Sequence, residues 1–188
     1  MLTTSVLLSF LIALLRGGDL RRLGGNTIKL WWLLVLAFAI KFLAQSSYGP
    51  QLGLTPYGPA INTASFAVVL GVLLWNRDLP WAWLIAVGVA LNLVVVALNG
   101  GQMPVFPEAL LALGKEASLN RIASGGDPIH SAVTEATRLP WLGDWLPVPG
   151  PMSAAASPGD VVMAIGVMLF VNTIACSPAY AAGGDAAS

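Results

Sequence analysis

The sequence predicts an all-α membrane protein: a bundle of five transmembrane helices with a partly helical extracytoplasmic cap. The first observation behind this is composition. Hydrophobic residues make up 56% of the 188 residues and charged residues only 10%, against about 25% charged in soluble domains. The second is pattern: five apolar runs are separated by short polar or glycine- and proline-rich links. The third is a single long polar stretch, 100–157, between the fourth and fifth runs. A water-soluble fold so short of charge would lack polar surface, so lipid is the expected solvent for much of the chain.

The first span is expected over 2–16. It is short for a hydrocarbon core that takes about 20 residues, and Arg16 completes it by snorkelling. No basic residue precedes the run, and Arg16, Arg21 and Arg22 follow it. A retained helix is therefore expected rather than a cleaved signal. Gly17-Gly18 and Gly24-Gly25 bracket the basic loop. The second span, 27–47, has Trp31 and Trp32 near its start, and Pro50 to Pro59 make an uncharged loop. The third span is 60–75, Asn76 to Pro80 a tight hairpin, and the fourth span 81–99. Ser157-Pro158-Gly159-Asp160 fixes the start of the fifth span, 158–176, as a capping box with Ser at N-cap, Pro at the first helical position and an acid three residues on.

Orientation follows from basic residues in short loops. The first loop has three arginines, the second no charge, and the third Arg77 beside Asp78. From Asn99 to Asp160, Lys115, Arg121 and Arg138 face six acids. This places the N-terminus outside, the basic loops inside, the acidic excursion outside and the C-terminus inside. The small-residue tail with Asp185 adds nothing to that assignment. Within the excursion, Pro107-Glu108 opens a helix that Gly114-Lys115 closes, and Pro128–Arg138 reads as a second helix. Leu139 to Pro149 is too apolar for a free loop and too proline-rich for a helix. It should lie at the outer interface or dip against the bundle, anchored by Trp141 and Trp145.

Three segments carry a resemblance: Asn99-Gly100-Gly101-Gln102-Met103-Pro104-Val105, Leu142-Gly143-Asp144-Trp145-Leu146-Pro147, and Ser157-Pro158-Gly159-Asp160. Together they resemble motifs of a bacterial integral-membrane family of unknown function. The resemblance implies a bacterial cytoplasmic (inner) membrane location and no particular reaction.

Candidate sites concentrate at the outer end of the fourth span. On a helical wheel, Ala82, Ala86 and Ala90 form a small-residue stripe that admits close approach of another helix. A protein partner or a second copy is the expected occupant, with the lipid bilayer around it. The opposite side carries Gly88, Asn92 and Asn99. These asparagines, with Asn62 on the third span, either bond neighbouring helices or line a ligand or ion route. Lys41 lies about 18 Å along the second helix from Lys29. It either snorkels outward or pairs with Asp144, Asp160 or Glu108.

Other chemistry is thinly represented. Asp127, His130 and Glu135 are weak metal candidates, since their spacing matches no ligand pattern and His130 is the only histidine. Cys176 alone excludes an internal disulfide. No nucleophile elbow, zinc-protease helix, P-loop or dinucleotide fingerprint occurs, so no catalytic residue and no cofactor is expected. Nine basic residues balance nine acidic ones, which argues against a nucleic-acid partner. The first expectation is therefore a non-enzymatic structural or accessory subunit. The alternatives are a small-molecule or ion transporter or binder using Asn62, Asn92, Asn99, Lys41, Asp144 and Asp160, and a membrane enzyme acting at the outer interface.

Overall fold

The apolar runs fold as helices whose ends lie close to the expected bounds. The computed structural model describes residues 2–24, 28–46, 48–150 and 153–176. In it α1 spans Leu2–Leu15, α2 Trp31–Gln45, α3 Gly58–Trp75, α4 Ala82–Leu98 and α7 Pro158–Cys176. Between α4 and α7 come β1 (Met103–Val105), α5 (Pro107–Leu111), α6 (Glu116–Ala123), β2 (His130–Ala132), β3 (Leu146–Val148) and β4 (Ala154–Ala156). Gly25, Thr27 and Ser47, and the tail from Ser177 onward, lie outside the described residues.

Two helical segments, Thr55–Trp75 and Pro158–Cys176, are long and apolar enough to cross a bilayer, while Val6–Leu15, Trp31–Gln45 and Ala82–Leu98 are apolar but shorter. The long ones are not a shielded core. Only 22% of the apolar window in Thr55–Trp75 and 44% of that in Pro158–Cys176 is buried within the chain. Large apolar side chains also stand exposed along α1 and α2, among them Leu11, Leu15, Trp31, Val35 and Phe42.

The helices pack in the order α1, α7, α4, α3, α2, each against the next. Glycine sets the spacing of α4 and α7. A Cβ at Gly88 would stand 2.6 Å from the Gly159 carbonyl oxygen, and one at Gly166 would stand 2.7 Å from Ile85 Cγ1. Ala82 and Ala86 are buried within this chain and Ala90 is half-buried.

One end of the bundle gathers the basic loop, the α3–α4 hairpin and the end of α7. Asp19 N donates to the Ala175 carbonyl at 3.0 Å, and Arg22 reaches the same carbonyl at 3.3 Å. Arg16 donates to Asn172 Oδ1 at 3.4 Å. Cations placed there complement the negative end of the α7 dipole. Asn76 exchanges two hydrogen bonds with the Lys29 backbone, at 2.8 and 2.9 Å, and Trp81 Nε1 donates to Thr173 Oγ1 at 2.8 Å.

The other end carries the cap, which holds strands as well as helices. β1 and β2 pair in parallel with Met103 opposite His130, and β3 and β4 pair antiparallel with Leu146 opposite Ala156. A bridge between Val105 and Asp144 links the two pairs. Leu142 drops into a core with Val95, Val96 and Met103, while Trp141 and Trp145 stay exposed. The segment Leu139 to Pro149 thus dips against the bundle through Leu142 and holds its indoles outward.

The expected helix over Pro128–Arg138 is not formed; β2 lies there instead. The local signal was real. Asp127 Oδ1 accepts from the backbone N–H of Ile129 and of His130, both at 3.1 Å, as an N-cap would. Pairing then wins, because Met103 N donates to the Ile129 carbonyl at 2.8 Å and Val133 N to the Val105 carbonyl at 3.0 Å. These bonds satisfy backbone that lies against the bundle and must find partners. The closing turn at Gly114 is as expected, with φ +66 and Lys115 N bonded to the Leu110 carbonyl at 2.9 Å.

Candidate functional site

The site begins with the capping box. Ser157 Oγ accepts from Asp160 N at 3.0 Å, and Asp160 Oδ2 accepts from Ser157 N at 3.3 Å. Aspartate therefore closes the reciprocal bond that glutamate or glutamine usually makes. Asn92 of α4 completes a ring of side chains. Its Nδ2 donates to Asp160 Oδ1 at 2.9 Å, and its Oδ1 accepts from Ser157 Oγ at 2.8 Å. The chain can bring Asn92 this close only because residue 159 is glycine: a Cβ there would fall onto Asn92 Oδ1.

Beneath the cap, α2, α3, α4 and α7 line an open-sided cavity of about 420 Å³. Its polar wall contains Lys41, Asn62, Asn92, Asp144, Asp160 and His130. The rest of the wall is apolar, with Phe66 and Met163 on opposite helices. Lys41 Nζ stands 4.6 Å from the centre of the Phe66 ring, a cation–π contact. Among the described residues the ion pairs are Arg121–Asp127 and His130–Asp127, so Lys41 forms none with Asp144 or Asp160.

Asn62 holds the cap rather than another helix. Its Nδ2 donates to the Gly101 carbonyl at 2.8 Å and to the Ile129 carbonyl at 3.4 Å. Its Oδ1 is buried without a partner. Asn99 shares the α4 face with Asn92 but lies away from the cavity lining. It clasps the Arg138 backbone, accepting from its N–H at 2.9 Å and donating to its carbonyl at 2.8 Å.

Asp144 is buried in the cavity wall. Its backbone is fixed on both sides, N–H to the Pro104 carbonyl at 2.8 Å and carbonyl from Phe106 N–H at 2.9 Å. Its Oδ1 has no partner. Burial pushes the carboxyl well above the ordinary carboxylate range, and the charge of Asp160 pushes the same way against the opposing charge of Lys41.

Asp127 and His130 come together, and Glu135 does not join them. Asp127 Oδ1 lies 3.1 Å from His130 Nδ1, and Arg121 Nη2 donates to Asp127 Oδ2 at 2.8 Å. Burial works against the Asp127 charge. The hydrogen bond and charge of His130, the Ile129 N–H and Arg121 outweigh it, and the carboxyl is held well below the usual range. No group of three or more metal-ligating side chains occurs among the described residues.

A second, smaller cleft of about 170 Å³ opens in the cap between α6 and the strands. Its wall includes Lys115, Arg121 and Asp127, and it shares Asp144 and His130 with the deeper cavity. Nothing in the sequence marks Ser157, Phe66 or Met163 as site residues. Ser157 announced itself only as a cap, and the other two read as ordinary apolar positions in their helices.

The fold and site define a mostly helical protein with an amphiphilic cavity under a small capping region. The chain belongs to DUF5317, a family of unknown function, whose profile matches residues 26–172. It is 31% identical over 166 residues to an uncharacterized protein of Thermotoga maritima, covering 86% of each chain. No solved structure matches it.

Proposed function

We propose that this chain is a five-span protein of the bacterial cytoplasmic membrane, N-terminus outside and C-terminus inside, that binds a small molecule in the cavity beneath its outer cap. The membrane reading is supported by the apolar side chains exposed along α1 and α2, which water would leave uncovered at high cost. It is also supported by the gathering of the arginine loop, the hairpin and the end of α7 at one end, opposite the acidic cap. Helices of 14 and 15 residues span with the help of interfacial arginine and tryptophan.

The single observation that carries the binding reading is the cavity of about 420 Å³. It falls in the size range of small-molecule sites, and a few polar groups converge on an otherwise apolar wall, as in such sites. Whether the bound molecule is transported or only held is a second question on the same cavity. A pure accessory role leaves the buried Asp144 and the half-buried Lys41 and Asp160 around an open space without a purpose.

Thiol accessibility tests this. In a Cys176→Ser background embedded in lipid nanodiscs, Met163→Cys should react with methyl methanethiosulfonate. Val95→Cys, buried outside the cavity, should not. Intact mass reads both. An unmodified Met163→Cys variant would mean a closed, dry interior and would remove the binding reading.

A further inference from the structure

Two buried acceptors in the wall of this cavity lack donors. Asp144 Oδ1 and Asn62 Oδ1 are sealed from solvent with no hydrogen-bond partner, and both residues line the cavity. An unpaired buried acceptor costs about 1–3 kcal/mol. Lys41, the lysine in the same wall, stands over the Phe66 ring and forms no ion pair with Asp144. Each oxygen of Asp160 already accepts one hydrogen bond, from Asn92 and from Ser157 N–H. Once Asp144 is ionised, one cation stands against two carboxylates in this wall, an excess of one negative charge. What is missing is a donor that also carries a single positive charge.

The wall away from these groups is hydrocarbon, so the missing group comes attached to an apolar body. We propose that the cavity binds a monocationic primary amine with an apolar tail, its ammonium held by Asp144 and Asn62. The proposal rests on the binding reading above and specifies its ligand. The cap cleft shares Asp144 and His130 with the cavity wall.

Proton competition follows from the same geometry. The groups facing Asp144 are Asp160 from α7, Lys41 from α2 and His130 from β2 on the cavity side, with Lys115, Arg121 and Asp127 across the cleft. Burial and the neighbouring Asp160 charge favour a proton on Asp144 in the empty cavity. An ammonium that binds the carboxylate displaces that proton into solvent. Acidification therefore weakens amine binding.

The test uses the full chain in nanodiscs with hexylammonium, hexanol and hexanoate as probes of one length and three charges. Hexylammonium should slow modification of the Met163→Cys variant and raise the Tm of the wild type, while hexanol and hexanoate at equal concentration do neither. Asp144→Asn should weaken hexylammonium binding at least about tenfold, and each unit of acidification should weaken it by up to about tenfold. If hexanoate protects and hexylammonium does not, the ligand is an anion on Lys41 and the amine proposal is overturned. Equal protection by hexanol and hexylammonium overturns it too. So does a Met163→Cys variant that reacts freely whatever probe is present, although the cavity itself then stands. A Met163→Cys variant that never reacts removes the cavity and the amine together. Should Asp144→Asn fail to fold, the comparison of the three probes on the Asp144 background decides the matter alone.

Discussion

At the scale of single residues, the ring formed by Asn92, Ser157 and Asp160 depends on what residue 159 lacks. A methyl at Gly159 would strike the Asn92 amide and stand 2.7 Å from the Gly88 carbonyl. The Gly88 carbonyl is backbone and yields only if α4 and α7 part, and the Asn92 amide yields only by leaving the ring. Gly159→Ala should therefore cost about 3 kcal/mol, at the upper end of overpacking penalties. Gly71→Ala meets nothing within 4 Å and should stabilise α3 by about 0.5–1 kcal/mol. Equilibrium unfolding in mixed micelles measures both, and equal effects from the two substitutions would refute the close-approach account. Half of this ring is legible in the sequence. Ser157 and Asp160 are three residues apart and announce a helix start by local chemistry. Asn92 is legible as a polar residue on the face opposite the alanine stripe, but its partner lies 65 residues away, where no local rule reaches.

At the scale of elements, helices and strands differ in how far they can be read. The long apolar helices are visible because their length and composition are local properties. α6 is missed although its signals are present, with Glu116 in its first turn, Arg121 in its last and Gly125 beyond at φ +73. The strands β1 and β2 are invisible locally, since each is three residues long and its pairing depends on the other. Asp127 holds the turn that feeds β2, and its carboxyl is held low. A depressed carboxyl stabilises the folded cap above about pH 4, the unfolded value, and that stabilisation is lost as pH falls toward the folded value. Hydrogen-exchange protection of the Ile129 and His130 amides, corrected for intrinsic rates, should hold from neutral pH down to about 4 and fall below it. Asp127→Ala should lower it throughout. Protection that is flat on acidification would show that the carboxylate does not hold this turn.

For the whole molecule, the expected bundle holds as a set of packed helices, while its passage through a membrane remains the proposal made above. On the proposed orientation, with the cap outside, alkaline phosphatase inserted at the exposed Ser124–Gly125 turn should be active in cells. The same insertion at Gly24 should be inactive, and the reverse pattern would invert the orientation. The sequence cannot show the packing order, because charge and hydropathy say which side a loop takes but not which helix it meets. That order has α1 resting on α7 through Ala13, Val171 and Ala175, with Arg16 and Asn172 bonded across 156 positions. A ribosome delivers α1 before everything it will touch in α7. Throughout translation of α2, α3, α4 and the cap, α1 waits without the partner it packs on. A chain cut short before α7 leaves that helix orphaned, a difference that sets unfinished copies apart from finished ones.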